Sequence, residues 1–419
     1  MAEVEEEDDA FINCTFKVFE QDIILRNITY LWPINSTIMW TFMNEVIFNT
    51  KDSSLTLYHK NNITLLLRAC LNIESAPHVL PWWQKMAWGA IFSLMLIVAI
   101  GGNIIVIWIV LAHRRMRTVT NYYLVNLSLA DLFMAVFNCV FNFIYMLYSH
   151  WPFGETYCKV NYFITNITVA ASVFTLVAIS LDRYLAIMKP LQHRSSRTKA
   201  RISLIIIWLA SGLLALPCVL HSTTKIKNYS GGKMKIVCYI KWPDGTYPNS
   251  VSEYVYNLVF LLVTYLVPMF SMLLCYWVMG KELWGSQYIG ERSQRQLHAI
   301  KSKRKVVKMF MIIITIFAIC WLPYHGFFIL VYHNNAISKT SYVQHMYLAF
   351  YWLAMANAMV NPVIYYWMNT KFKQYFQQII CGLCGLNSKK FAQQNIDLSL
   401  QQIKRGASQS DYYHSKSTR

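Results

Sequence analysis

From Val160 to Leu181 the chain runs without a charged residue, between Lys159 and the triplet Asp182-Arg183-Tyr184. At about 1.5 Å of rise per residue, such a stretch crosses a hydrocarbon core about 30 Å thick as one helix. Lipid offers the backbone no hydrogen-bond partners, so a spanning chain must satisfy every amide and carbonyl within itself. Charge at the end of an apolar helix is tolerated only where that end meets water or a partner protein. The triplet therefore marks the cytoplasmic mouth of a membrane span, and Cys158 stands at the opposite end.

Six further stretches read the same way. They run from about Met86 to Ala112, Tyr122 to Tyr148, Ile202 to Leu220, Tyr254 to Met279, Val306 to Tyr332 and Tyr342 to Met368. Proline interrupts four of them at Pro217, Pro268, Pro323 and Pro362, and one acid, Asp131, lies inside the second. The sequence thus predicts an all-α membrane protein, a seven-transmembrane helix bundle over 85–369, with the termini on opposite sides. Composition agrees: 56% of residues are hydrophobic and 14% charged, against about a quarter charged in a soluble domain. The net charge of +18 gathers in loops, with Arg114, Arg115 and Arg117 after the first span and Lys301, Lys303, Arg304 and Lys305 before the sixth. By the positive-inside tendency these loops are cytosolic. The loop from about His221 to Glu253, assigned to the outside, breaks the pattern with Lys225, Lys227, Lys233, Lys235 and Lys241. No basic face with interleaved aromatics points to nucleic acid.

Residues 1–84 read as an extracellular glycosylated tail. It opens on the acidic run Glu3, Glu5, Glu6, Glu7, Asp8 and Asp9 and carries sequons at Asn13, Asn27, Asn35 and Asn62. Met1 to Ala10 lacks the basic start and apolar stretch of a secretory signal, so the first span is expected to act as its own signal. After the seventh span, residues 370–384 read as a short amphipathic helix on the inner face, with Cys381 and Cys384 as palmitoylation candidates. Residues 385–419 form a polar cytoplasmic tail expected to be disordered. Cys158 and Cys238 both face an oxidising compartment and are expected to pair, pinning the second outer loop over the helix bundle; Cys14 and Cys70 form a second candidate pair. Cys139, Cys218, Cys275 and Cys320 read as small buried hydrophobes, and no cysteine and histidine spacing suggests a metal.

One residue or motif in each span carries a resemblance. Asn103, Asp131, Asp182-Arg183-Tyr184, Trp208, Pro268, Cys320-Trp321-Leu322-Pro323 and Asn361-Pro362-x-x-Tyr365, in that order, resemble rhodopsin-like G-protein-coupled receptors over about Gln84 to Cys384. Within that class Asn121 to Leu127, Trp242-Pro243, Phe317 to Pro323 and Tyr347-Leu348-Ala349 with Trp352 to Met355 are similar to the tachykinin receptors. Trp242-Pro243-Asp244-Gly245 and Tyr365 to Asn369 look like the insect branch that includes the natalisin receptor.

The resemblance implies roles. Asp131, Ser172, Asn357 and Asn361, with Asn103, would meet in mid-bundle around an allosteric sodium ion; a water network without an ion satisfies the same groups. Asp182, Arg183, Tyr184, Phe317, Trp321, Pro323, Asn361, Pro362 and Tyr365 would form the activation switch, with proline kinks as hinges. An amine receptor would carry Asp at Thr165 and an opsin Lys at Met355, so neither class fits. The peptide pocket would use Asn138, Asn142, Asn161, Trp242, Glu253, Asn257, His325, Phe328 and Tyr347. Asn138 and Asn142, four residues apart on one helical face, suit a peptide carboxamide, although helix-to-helix bonding accounts for them too. Asn161, Cys218, Lys241 and Asn257 depart from the His, Gln, Glu and His of vertebrate relatives, which argues against the vertebrate ligand. Glu253, with Asp244 second, would meet the cation of an arginine amide. The expected partners are an amidated neuropeptide outside the plasma membrane and, inside, a heterotrimeric G protein of the Gq class, with phospholipase C and calcium release downstream. Membrane lipid surrounds the bundle, and arrestin and a receptor kinase would act at the tail. No nucleophile, base and orienting acid converge, so the chain is not expected to be an enzyme. A transporter or channel gated through Asp131 is the alternative class, and another short amidated peptide the milder one.

Overall fold

The computed structural model describes residues 80–189, 196–229, 233–247, 249–285, 294–334, 337 and 342–383. The sequons, Cys14, Cys70, Cys384 and the tail after it lie outside these residues. Among the described residues seven helices are long and apolar enough to cross a membrane: α1 (Trp82–Ala112), α2 (Val119–Tyr148), α3 (Gly154–Met188), α4 (Arg197–His221), α5 (Val251–Gly285), α6 (Gln294–His333, its apolar part Ile300–His333) and α7 (Val343–Met368). An eighth, α8 (Thr370–Leu383), follows. Leu94, Ile97, Leu209, Leu213, Phe270, Leu273 and Trp277 are exposed. A face this apolar is a liability in water and the solvent face in lipid.

Several helices outrun the apolar stretches that announce them. Among the described residues α6 already runs from Gln294, ahead of the predicted Val306, because Gln, Leu, Ala, Lys and Arg favour helix regardless of solvent. The helix starts are capped where the sequence allows. Thr118 accepts from the Asn121 amide at 3.3 Å, and Ser250 from that of Glu253 at 3.0 Å, which satisfies amides that have no partner in the first turn. Two helices carry π-helical turns, Ala135–Cys139 in α2 and Leu262–Leu266 in α5.

The chain divides into two compact units. In the larger, α1 neighbours α2 and α7, α7 neighbours α6 and α2, α5 neighbours α6, and α2 neighbours α4. Gly102 is required here: a Cβ would stand 2.8 Å from the Pro362 Cβ, closer than any side chain permits. On α8, Phe372 and Phe376 are buried while Lys371 and Lys373 are exposed; Phe372 meets Tyr365 at 5.8 Å and Phe376 meets Tyr366 at 6.0 Å. Cys381 falls in its last turn.

The smaller unit includes Tyr145–Cys158 and Ser222–Ile240. Within the loop 221–253 the chain forms an antiparallel hairpin, β1 (Ser222–Tyr229) and β2 (Lys233–Ile240), in the register Thr224 to Cys238 and Lys227 to Lys235. Among the described residues this hairpin adds strand to elements that are otherwise helical. Cys158 and Cys238 are disulfide-bonded, joining the start of α3 to β2. Beside the bridge Trp151, 1% exposed, donates its backbone amide to Ile236 O at 2.8 Å and its indole to Gly154 O at 2.9 Å. Gly154 has φ of 78°, a left-handed conformation that favours glycine.

Candidate functional site

Three helices meet at Asp131 of α2, which is 1% exposed. Its Oδ1 accepts from the Ser172 hydroxyl on α3 at 3.2 Å, and its Oδ2 from the Asn361 amide on α7 at 2.8 Å. Asn103 on α1 donates to Ala99 O at 2.8 Å and to Ala358 O at 2.9 Å, which ties α1 to the turn of α7 that holds Asn357 and Asn361. A buried carboxylate is costly unless its lone pairs are occupied, and here both oxygens are. Two buried oxygens in the same neighbourhood, Asn103 Oδ1 and Asn357 Oδ1, have no hydrogen-bond partner. A set of carboxylate, hydroxyl and amide oxygens is the donor chemistry of a hard cation. These residues fit a sodium ion.

Toward the Asp182 end of α3 a second polar group closes. Arg183 donates to Asp182 Oδ2 through Nε at 3.2 Å and through Nη2 at 2.5 Å, and Nη2 also reaches Thr120 Oγ1 on α2 at 2.5 Å. Thr120 in turn donates to Asp182 Oδ2 at 3.4 Å. Ser180 meets the Tyr276 hydroxyl of α5 at 3.3 Å. On the far side of the same end, Arg304 of α6 donates to Leu283 O of α5 from Nε at 2.8 Å and from Nη2 at 2.5 Å, with its guanidinium 5.6 Å from the Trp284 ring centre. Leu283 and Trp284 lie in a π-helical stretch of α5, Lys281–Gly285, which this arginine ties to α6.

The other half of the bundle is aromatic. Along α6 a run of ring contacts leads from Phe328 to Tyr324 at 4.9 Å, Tyr324 to Trp321 at 5.8 Å and Trp321 to Phe317 at 6.1 Å. His325 lies 5.9 Å from Trp321 and 5.2 Å from Tyr265 of α5, whose hydroxyl donates to Ala318 O at 2.9 Å. Phe328 also meets Tyr347 of α7 at 6.2 Å, and Tyr347 meets Tyr351 at 6.3 Å. Tyr351 is a hub. Its hydroxyl donates to Asn138 Oδ1 at 2.8 Å and receives from Asn142 at 3.5 Å, and its ring lies 6.3 Å from Phe92 of α1. Asn138, fully buried, also donates to the Thr165 hydroxyl.

The structure brings most of the predicted pocket residues into this network. Asn161 donates to Phe137 O at 3.3 Å; Phe137 lies in the π-helical turn of α2, whose altered bonding needs partners from outside the helix. Trp242 is packed between His221 at 5.0 Å and Tyr256 at 5.4 Å, and its indole N–H is buried without a partner. Glu253 accepts from the Tyr247 amide at 3.1 Å. Asp244 accepts from Ser250 at 2.7 Å and from the Ser252 amide at 2.8 Å, and these bonds hold its carboxyl down at about 2. Asn257 is exposed on α5 and takes no part in these contacts. Trp321 is buried with an unpartnered indole N–H, as is the Tyr365 hydroxyl. Cys139, Cys218 and Cys320 are buried and Cys275 partly so, none of them disulfide-bonded. Sequence reading passed over Tyr351, Tyr324, Thr120 and the pair Leu283 and Arg304. Tyr351 had a signal, since it follows Tyr347 by one helical turn on the same face; the carbonyl of Leu283 had none.

Comparison with known proteins agrees with the architecture. Residues 102–365 match the family model of the 7 transmembrane receptor (rhodopsin family). The chain is 54% identical over 388 residues to the tachykinin-like peptides receptor 86C of Drosophila melanogaster, covering 91% of this chain and 76% of that protein. It is 47% identical to the tachykinin-like peptides receptor 99D of the same fly, over 74% of this chain and 60% of that one. With the human substance-P receptor it shares 41% over 73% of each.

Proposed function

The chain belongs to the rhodopsin family of seven-transmembrane receptors and, within it, to the tachykinin receptors, and from that premise we propose that it binds an amidated tachykinin-type neuropeptide at the plasma membrane. Its amino-terminal tail lies outside and its carboxy-terminal tail in the cytoplasm, where it drives nucleotide exchange on a heterotrimeric G protein of the Gq class, with calcium release downstream. The observation that carries this reading is the unbroken run of rings on α6 from Phe328, 40% exposed, to Phe317, 2% exposed. A ligand touching its outer end bears on Pro323, which sits within the run and marks where the helix can bend. The ligand works by differential affinity, favouring the bent state over the straight one.

The peptide terminus would exchange bonds with Asn138, Asn142 and Tyr351, whose amides and hydroxyl match a carboxamide in donors and acceptors without charge. Glu253 would take the cation of an arginine amide, since a carboxylate accepts a guanidinium at two oxygens. Sodium in the Asp131, Ser172, Asn357 and Asn361 cluster would hold the inactive arrangement, and Arg183 would leave Asp182 and Thr120 to meet the G protein. Arrestin and a receptor kinase would act on the cytoplasmic tail.

Purified receptor in lipid, given G protein and labelled GTP, tests this directly. Arginine-amide peptides are expected to accelerate exchange, and Glu253→Gln is expected to weaken them far more than methionine-amide peptides. Equal loss for both removes Glu253 from that role. Ion flux through the receptor in proteoliposomes without G protein, and no peptide-driven exchange, would favour a transporter instead.

A further inference from the structure

Where α5 and α6 meet beyond the apolar zone, cations sit on exposed rings. Trp277 and Trp284 of α5 are 65% and 43% exposed. The Lys281 ammonium lies 5.2 Å from the Trp277 ring centre, and the Arg304 guanidinium 5.6 Å from that of Trp284. On α6, Lys301 and Lys308 stand three residues before and four after Arg304, on one helical face, and both are exposed, as is Lys281. The sequence of α6, from Gln294 to His333, holds no Asp or Glu. On α5 the neighbouring acid, Glu282, is half-buried and has contacts of its own. Among the described residues no carboxylate pairs with Lys281, Lys301, Arg304 or Lys308. A ring face attracts a cation without neutralising it, so four positive charges remain together at this surface. The positive-inside tendency accounts for cations at this end of the bundle, but not for their seating on exposed rings.

Depth in the membrane says what covers them. Trp277 and Trp284 lie on the order of 10 Å apart along the helix axis, about the thickness of a headgroup layer, and tryptophan favours that layer. Phe270, Leu273 and Leu274, exposed one to two turns before Trp277, face the hydrocarbon beside it. The cations between and below the rings therefore face headgroups. Any anionic lipid would meet a single cation; a cluster of four matches a headgroup with several phosphates, since one phosphate monoester carries a charge of about −1.5 to −2 at pH 7. Arg304 keeps donors for it, because Leu283 O takes bonds from Nε and Nη2 only, out of five guanidinium N–H groups. We propose that the lipid-facing flank where the inner ends of α5 and α6 meet binds a phosphoinositide headgroup, its phosphates on Lys281, Lys301, Arg304 and Lys308 and its glycerol end between Trp277 and Trp284. The inference rests on the reading above that this end is cytoplasmic, the leaflet that carries anionic lipid. Bound there, the headgroup bridges α5 and α6 at the contact that Arg304 already makes.

Native mass spectrometry of the purified full-length receptor tests the proposal, with phosphatidylinositol bisphosphate, phosphatidylserine and soluble inositol trisphosphate as probes and no G protein present. The bisphosphate lipid is expected to bind several-fold more than phosphatidylserine. The triple variant Lys281→Gln, Lys301→Gln, Lys308→Gln is expected to cut that binding several-fold, whereas Lys225→Gln, Lys233→Gln, Lys241→Gln, which removes the same charge from the second outer loop, leaves it unchanged. A second measurement needs no variant: the bisphosphate lipid is expected to raise the thermal midpoint of the unmodified receptor by linkage, and phosphatidylserine is not. Undiminished binding in the first variant, equal loss in both, equal binding of phosphatidylserine or an unmoved midpoint overturns the proposal. Displacement of the lipid by inositol trisphosphate at equal concentration gives the cations to a soluble phosphate and overturns it as well. Orientation is read separately, from a carboxy-terminal tag in intact cells. A tag reached from outside sinks the reading of this end as cytoplasmic and the inner-leaflet site with it; a tag hidden inside, with binding lost, sinks the lipid site alone.

Discussion

The bundle holds two interiors of different kinds. Around Asp131 a few polar atoms meet at fixed hydrogen-bond lengths, so each partner is needed by the others. Around Trp321 and Tyr351 rings meet at centroid distances from 4.9 to 6.3 Å and at many tilts, and rings in such contact tolerate rearrangement. Hydrogen bonds fail when one partner moves, whereas ring packing yields by degrees. A receptor needs both: a polar centre with discrete states, and a recognition surface that can adjust to a peptide.

The contrast can be broken by substitution. Asp131→Ala strands the Asn361 amide and the Ser172 hydroxyl in a buried place and is expected to cost on the order of 2–4 kcal/mol, read as a large fall in the thermal midpoint of the purified receptor. Tyr351→Phe sits where the two interiors overlap. It removes the bonds to Asn138 and Asn142 but keeps the ring, so a loss of about 1–2 kcal/mol is expected in the same assay. Arg304→Gln frees the Leu283 carbonyl and the Trp284 ring and is expected to raise ligand-free nucleotide exchange several-fold, a coupling of about 1 kcal/mol; unchanged basal exchange would mean the α5 to α6 contact does not hold the resting state. Phe328→Leu, in the adaptable half, is expected to cost under about 1 kcal/mol of stability while still weakening peptide binding. A loss as large as that of Asp131→Ala would erase the distinction.

The smallest effect is a pH dependence. Asp244 is an exposed carboxylate held below the ordinary aspartate range, at about 2, by the Ser252 amide and the Ser250 hydroxyl. A depressed carboxylate contributes fully above its unfolded pKa, and the contribution disappears as pH falls through the folded one. The start of α5 is therefore expected to loosen between about pH 4 and pH 2, seen as faster amide exchange at Ser252. Asp244→Asn should flatten that profile.

The constellation of one marker per span, the seven helices and the Cys158 to Cys238 bridge were all legible before any coordinates. So was the placing of Asp131 with Ser172 and Asn361. Less visible was the hairpin, although Lys225-Ile226-Lys227 and Lys235-Ile236 alternate in the strand period; read as loop charges, the lysines concealed the pattern they belong to. The pairing of Asn138 and Asn142 through Tyr351 was half legible. Their shared face was readable, but a tyrosine 213 residues beyond Asn138 is reached only after the helices have taken their rotations.

What the sequence determined by itself was everything lipid enforces locally: where the chain spans, where charge must stop, and which helices proline weakens. Membrane energetics act along the chain, residue by residue, and need no partner. Only the tertiary structure decided which atoms meet: that Asn161 answers a carbonyl of the π-helical turn in α2, that Arg304 bonds the Leu283 carbonyl of α5, and that Lys227 faces Lys235. Those pairings depend on helix rotation and strand register, and a shift of one residue in either changes every partner.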